Sequence, residues 1–530
     1  MAHLAHHLLT EAASAAPDRI AVRYHGTAVT YAELEAAANG LARALGELGV
    51  RRGDRVGILL PKRPEAIAAI YGAMKAGAMC VPLDPTAPIP HVAAVATDCA
   101  IRALVSTPAR ASDLLRRLPP NRPCGAVLIE EEGVRPADIR FPFVDYARAT
   151  RDPSAEDPGV PGVDLDVAII LYTSGSSGRA KGVMHTHRAI LTVTDWYVRT
   201  MGLHADDRLI VHPPLNFVLA AYGIFPAAAA RATSVLAPME RAYRGSDLAG
   251  LVREERITIW ISVPEPLQLL IDARADRETL RSLRVVACGG GSLPAPLVRG
   301  LRRLVPEAEL WHFCGSTEAW GVFANRLSGI PEGDGPVPVG RPQEDVEVVV
   351  LREDGSVAGP GDEGELFVGG ARVMKGHWGD PERTRAALVP DPTGRNPVDL
   401  LYRSGDRVRI RPDGDVEFVG RRDRMIKSRG YRIELGEIEA ALHAHPSVRD
   451  AVVVPVADPY LGTAIVAYLE SRDGAPSSAD IAAHLRARLP VHMVPRRIEI
   501  VSELPRTATG KVDRQRLAVL AGPGPRGGDD

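Results

Sequence analysis

Between Tyr172 and Val183 the chain reads Tyr-Thr-Ser-Gly-Ser-Ser-Gly-Arg-Ala-Lys-Gly-Val. Hydroxyls fall at Thr173, Ser174, Ser176 and Ser177, glycines at Gly175 and Gly178, and an ammonium at Lys181. Backbone N–H groups and hydroxyls donate to phosphate oxygens, glycine lets the backbone come close, and lysine adds a point charge. The chemistry these types suit is polyphosphate binding. The spacing G-x-x-G-x-x-K-G departs from the Walker A pattern, which disfavours a P-loop ATPase. The apolar run from Val167 to Tyr172 reads as a buried strand and helical spacing returns at Ala189, so strand, loop and helix follow in the order phosphate sites use. A Ser/Gly-rich loop alone is equally a plain connection, so the reading depends on its companions.

Four companions follow in order: Gly315-Ser-Thr-Glu318; Tyr402-Arg-Ser-Gly-Asp406; Gly420-Arg-Arg-Asp423 running into Ile426-Lys-Ser-Arg-Gly-Tyr-Arg-Ile-Glu434; and Leu504-Pro-Arg-Thr-Ala-Thr-Gly-Lys511. With the first loop they resemble the adenylate-forming superfamily of acyl-CoA synthetases, nonribosomal-peptide adenylation domains and luciferase, over almost the whole chain. In isolation Glu318, Asp406 and Lys511 read as surface charges and Asp423 as a turn or cap residue. The order and spacing of the motifs give them roles.

The resemblance implies carboxylate activation. A carboxylate attacks the α-phosphorus of ATP, pyrophosphate leaves, and the acyl-adenylate meets a nucleophile; two anions must approach, which calls for cationic compensation and tight positioning. By motif position, Thr173, Ser174, Gly175, Ser176, Ser177, Gly178 and Lys181 would wrap the phosphates, and Lys511 would bridge the substrate carboxylate and α-phosphate. Thr317 would donate to the α-phosphate and Glu318 would hold Mg2+, a hard cation that prefers carboxylate oxygen. Asp406 would accept both ribose hydroxyls and Arg421 would contact ribose or phosphate. Gly289, Gly290 and Gly291, with His312 and Phe313, would complete the nucleotide walls. The family often has an aromatic residue where Cys314 stands, so adenine stacking must come from elsewhere or be weaker. Gly289-Gly-Gly-Ser-Leu293 also resembles a phosphopantetheine attachment motif, but it leaves an apolar strand over 283–287 and enters Pro294, so Ser292 reads as part of the wall.

Acid and acceptor are implied less sharply. Amino-acid-activating relatives place an aspartate after the phosphate loop, whereas the stretch from His212 to Pro226 has no acid, and burying an ammonium without a carboxylate is costly. Asn216 resembles the asparagine of aryl-acid-activating enzymes, and the His185-Thr-His187 and Gly315–Glu318 contexts resemble benzoate-CoA ligases. A substituted aromatic acid is therefore expected, in a pocket of Asn216, Phe217, Tyr222, Gly223, Gly315 and Trp320, with Phe323 a further aromatic wall; core packing is the alternative for the aromatics. The stretch from Lys427 to Glu439 is more like enzymes that load carrier proteins. The implied cofactors are ATP and Mg2+, with CoA or phosphopantetheine as acyl acceptor, and the implied partners are a small carboxylic acid and a separate acyl or peptidyl carrier protein. Transfer to an amine, or a non-catalytic binding protein of the same fold, stays open as an alternative.

These residues need a large frame. At 530 residues the chain exceeds one core, and 45% hydrophobic content suits packed domains. Helices such as 31–48 alternate with strands such as 55–60, an α/β signature. Strands over 346–351 and 364–368, with turns at Glu353-Asp-Gly355 and Pro412-Asp-Gly414, suggest a β subdomain. A compact α+β pattern restarts with helix 436–443, strands 451–456 and 465–469, and helix 479–488. The expected division is a multi-subdomain N-terminal core at 1–422, a mobile C-terminal domain at 423–520 hinged at Asp423 with Gly430 lining a pantetheine tunnel after rotation, and a disordered tail at 521–530. A net charge of −2 offers no broad attraction to nucleic acid or anionic membrane. Five scattered cysteines, Cys80, Cys99, Cys124, Cys288 and Cys314, suit reduced thiols. The absence of a signal-peptide pattern at the start leads us to expect a cytoplasmic protein without membrane or nucleic-acid partners. His3, His6 and His7 read as surface residues of an opening helix, not metal ligands.

Overall fold

The computed structural model describes residues 2–119, 124–128, 141–152, 156–175, 180–242, 244–329, 333, 335–395, 400–422, 425–428, 430–458, 462–472, 476–506 and 512–522. The fold is α/β, as expected. One eight-stranded sheet runs, in spatial order, Gly376–His377, Lys181–Thr186, Val167–Thr173, Met79–Pro82, Arg55–Leu59, Ala103–Ser106, Gly125–Leu128 and Phe143–Asp145. A nine-stranded sheet has Glu309–Cys314, Val285–Cys288, Ile259–Ser262, Arg208–Val211 and Thr233–Leu236 at its centre. The main buried cluster draws on both sheets and on the helices Tyr31–Glu47, Pro64–Lys75, His187–Thr200 and Val218–Ala230. Val218–Ala230 is apolar on every side, the composition of a helix enclosed all round. Thr30 opens Tyr31–Glu47 with a capping box to Glu33, and Thr186 caps His187–Thr200 by accepting from the Ala189 N–H at 3.2 Å.

A five-stranded antiparallel sheet, built on Glu347–Leu351, Glu363–Gly369 and Leu400–Ile410, forms the β subdomain. Beyond it lie a hairpin, Met425–Ser428 with Tyr431–Glu434, and a three-stranded sheet of Val448–Asp458, Gly462–Ser471 and Arg497–Val501. Helices Leu435–His443 and Ser478–Arg486 cover one face of that sheet, and Arg514–Ala521 packs on the other. Leu504, which opens the last motif, and Val512, which follows it, pack with this second layer.

Three expectations change. After the phosphate loop the chain forms the strand Lys181–Thr186, antiparallel to Val167–Thr173, before the helix begins at His187. The loop therefore tips a hairpin, because Lys-Gly-Val-Met-His-Thr can pair edge to edge with the strand that precedes it. His6 is buried, edge-on to His187 at 5.8 Å, and burial draws its pKa down to about 3, so it is a neutral core residue and not a surface one. Helix Arg514–Ala521 carries a buried Ala521 into the stretch read as a disordered tail; 523–530 lie outside the described residues. All five cysteines are unpaired, and no described helix is long and apolar enough to cross a membrane.

Candidate active site

Lys181 leaves the hairpin opposite Thr173 and reaches Glu318 Oε1 at 2.8 Å. Arg432, from the C-terminal hairpin, approaches the same oxygen at 2.8 Å. Burial pushes the Glu318 carboxyl up, but Arg432 and Lys181 outweigh it and hold the group well below the usual carboxylate range. Burial draws Lys181 down against the pull of Glu318. Glu318 Oε2 is buried without a hydrogen-bond partner, an acceptor of the kind a hard cation takes. Among the described residues no three His, Cys, Asp or Glu side chains cluster to hold a metal. Mg2+ here would have Glu318 as protein ligand and phosphates and water for the rest of its shell.

Backbone bonds set this geometry. The Met374 N–H donates to Glu318 O, the Lys375 N–H to Met184 O and the Trp378 N–H to Gly182 O, each at 2.8 Å. One segment, 374–378, thus ties the motif carrying Glu318 to the hairpin carrying Lys181. His185 Nε2 lies 2.6 Å from Thr317 O; burial takes His185 down to about 4, so the neutral ring donates there. Trp320 Nε1 donates to the same carbonyl at 3.1 Å, with its ring 4.6 Å from His185. Both hold Thr317 at the cavity wall. Sequence reasoning passed over His377, which is buried beside Lys181 and Glu318 with neither ring nitrogen hydrogen-bonded.

Around the cavity stand Thr173, Ser174, Gly289, Gly290, Phe313, Cys314, Gly315, Thr317, Asp406 and Arg421. Asp406 and Arg421 face each other on adjacent strands and form an ion pair, and the Asp406 N–H donates to Ser404 Oγ at 3.0 Å. Thr173 Oγ1 is buried without a partner, while Ser174 Oγ donates to Arg432 O at 2.6 Å and accepts from the Glu434 N–H at 3.2 Å. Gly291 and His312 turn instead to a second cleft between the nine-stranded sheet and the C-terminal unit, and His312 Nδ1 donates to Pro338 O at 3.0 Å. Phe313 stacks on Trp311 at 5.9 Å and meets Trp196 edge-on. Ser176, Ser177, Gly178, Asp423 and Lys511 lie outside the described residues.

The C-terminal hairpin forms the lid of the cavity. Lys427 Nζ donates to Gly315 O at 3.2 Å. Gly430 has φ +74°, and a Cβ there would stand 2.2 Å from Val263 Cγ1, so its close approach requires glycine. Glu437, at the start of the following helix, lines the cavity; burial raises its carboxyl to about 7, moderated by the Gly175 amide. Neither Arg432 nor Glu437 was assigned a role from sequence; a cation and an acid within the motif running to Glu439 were the available signal.

At the acid end, Asn216, Phe217, Tyr222, Gly315 and Trp320 all line the cavity, and Asn216 Oδ1 is buried without a partner. Gly223 and Phe323 do not line it. Gly223 packs its helix on Val211, where a Cβ would come within 2.8 Å of Cγ2, and Phe323 is enclosed in the core beneath the β subdomain. The cavity also has a carboxylate at Asp84, whose Oδ1 accepts from the Thr86 N–H and hydroxyl.

The family model of the AMP-binding enzyme matches residues 9–378, and that of the AMP-binding enzyme C-terminal domain matches 437–511. An L-proline–L-prolyl-carrier protein ligase of Pseudomonas fluorescens is 33% identical over 97% of this chain and 99% of its own. A linear gramicidin synthase of Brevibacillus parabrevis is also 33% identical over 97% of the chain, which spans only 10% of that larger protein. Among solved structures, the amide bond synthetase McbA of Marinactinospora thermotolerans superposes with a TM-score of 0.82 at 28% identity, over 98% of this chain and 100% of that one.

Proposed function

The chain belongs to the AMP-binding enzyme family, and from that premise we propose that it activates a carboxylic acid with ATP, releases pyrophosphate, and passes the acyl group to a pantetheine thiol of a carrier protein or CoA. The observation that carries the reading is the convergence of Thr317, Asp406 and Arg421 on one cavity that also holds Asn216, with the Glu318–Lys181 pair joined to its wall through Arg432. The substrate carboxylate enters beside Thr317 and attacks the α-phosphorus; the P–O bond to pyrophosphate breaks as the acyl–phosphate bond forms. Charge building on the phosphates is met by Lys181 and the phosphate-loop amides, and Lys511 bridges the reacting anions. Mg2+ held by Glu318 supplies further neutralisation when bound. Asp406 and Arg421 orient the ribose.

For the second step the C-terminal unit, beginning at residue 423, turns about Asp423 and presents the Gly430 hairpin to the acceptor. The hairpin in contact with Gly315, Ser174 and Glu318 supports an arrangement suited to transfer. The acid is a substituted aromatic one: Asn216 Oδ1 is an open acceptor in a wall of Phe217, Tyr222 and Trp320, suited to a ring hydroxyl or amino donor. The likeness to an amide bond synthetase supports a second reading in which the acceptor is an amine. A carboxylate-dependent ATP–pyrophosphate exchange screen, followed by trapping with CoA, carrier proteins and amines, tests all three parts. No exchange with any acid overturns adenylation, a preferred aliphatic or α-amino acid overturns the aryl reading, and amide in place of thioester overturns the acceptor.

A further inference from the structure

We infer that Lys62, which no step above uses, is a positioning residue that sets the place of Asn216 and thereby helps to decide which acid the cavity accepts; this rests on reading that cavity as the acid site. Lys62 follows the carboxyl end of strand Arg55–Leu59 in the eight-stranded sheet and crosses to the nine-stranded sheet. There its ammonium donates to Val211 O at 3.3 Å and to His212 O, the carbonyls where strand Arg208–Val211 ends. Lys62 is 3% exposed. Burial draws its pKa down to about 7, and Glu240, which acts the other way, is itself 2.9 Å from His25. A buried ammonium answered by carbonyls instead of a carboxylate is costly to desolvate. What the contact fixes is backbone.

That backbone leads directly to the acid pocket. Pro213 and Pro214 lock two successive φ angles between His212 and Asn216. His212 Nε2 donates to Ala242 O at 2.9 Å, and the Phe217 N–H donates to Pro214 O at 3.0 Å. The segment has little torsional freedom with which to absorb a shift at His212. A displacement of about 1 Å separates a sound hydrogen bond from none, so the anchor at one end governs whether Asn216 Oδ1 meets a substrate donor at the other.

The test compares Lys62→Met, which keeps the length and removes the donors, with Lys62→Arg, which restores them. Backbone amide exchange at Leu215, Asn216 and Phe217 is measured beside ATP–pyrophosphate exchange with a ring-hydroxylated benzoate and with unsubstituted benzoate. Lys62→Met should speed amide exchange at these residues and raise KM for the hydroxylated acid about tenfold. KM for ATP and for benzoate should hold within about twofold. Lys62→Arg should recover most of the difference, and in an Asn216→Ala background Lys62→Met should add nothing to discrimination. If Lys62→Met does not fold, Lys62→Gln takes its place. Unchanged amide exchange, or equal KM rises for both acids and ATP, overturns the role of Lys62. Should wild-type enzyme prefer an aliphatic or amino acid, the aryl reading falls, while the amide exchange still upholds or overturns the anchoring of residues 215–217.

Discussion

The two ends of the cavity are built on opposite principles. At the phosphate end Glu318 is answered by Lys181 and Arg432, and Asp406 by Arg421. At the acid end Asn216 keeps an open acceptor within an aromatic wall, and specificity there depends on what fills it. Mutations at the first end should change rate for every substrate, because burying an unanswered charge is expensive whatever acid is bound. Mutations at the second should change only which acid is chosen.

The largest predicted effect is that of Lys511→Ala at the phosphate end. Pyrophosphate exchange should fall ~100-fold or more for all acids alike, while transfer from supplied acyl-adenylate is largely spared. Near-normal exchange by the folded variant would remove Lys511 from the adenylation step. Next comes Gly430→Val, whose added carbons have no room beside Val263. Thioester formation should drop ~10-fold or more with exchange retained; equal loss of both steps would deny the hairpin a separate role in transfer.

Asn216→Asp sharpens the comparison from the other side. It should move preference by about tenfold toward acids bearing a protonated amine, leaving the KM for ATP alone, as a substrate panel on both forms will report. An altered KM for ATP would mean the two ends are not independent. The smallest effect concerns Glu437, whose folded pKa of about 7 lies above the ordinary carboxylate value. Between the two values the folded state holds the proton more tightly, so this group's contribution to stability is present at low pH and is lost as pH rises through about 7. Melting curves from pH 4 to 8 should show Glu437→Gln gaining on wild type by a few degrees at the upper end; parallel curves would count against the burial argument.

Sequence legibility divides along the same line. Glu318, Asp406 and Lys181 were legible only through their motifs and the family resemblance, since alone Glu318 and Asp406 read as surface charges; their burial and pairing appear only in the fold. Asn216 could be found, but neither its open acceptor nor the Lys62 contact could, since both arise where the two sheets meet. Gly223 sits beside pocket residues in sequence yet turns to Val211, because a helix sends successive residues to different faces. The strand after the phosphate loop was missed for a related reason: its six residues gain stability from pairing with Val167–Thr173, a tertiary preference that overrides local pattern. The contact of Arg432 with Glu318 depends on how the C-terminal unit sits, which no local window contains.

The segment at residues 374–378, which contains the short strand Gly376–His377, acts as a spacer bar between the two halves of the phosphate end. Its amides, not its side chains, grip Glu318 at one point and Met184 and Gly182 at others. The separation of Lys181 from Glu318 is therefore gauged in peptide units. Inserting or deleting one residue shifts that gauge by a full strand increment of about 3.3 Å. Its tolerance for a change of length should be nearly nil, while composition is held mainly at the buried Met374 and His377 and at Gly376, whose φ of +145° favours glycine.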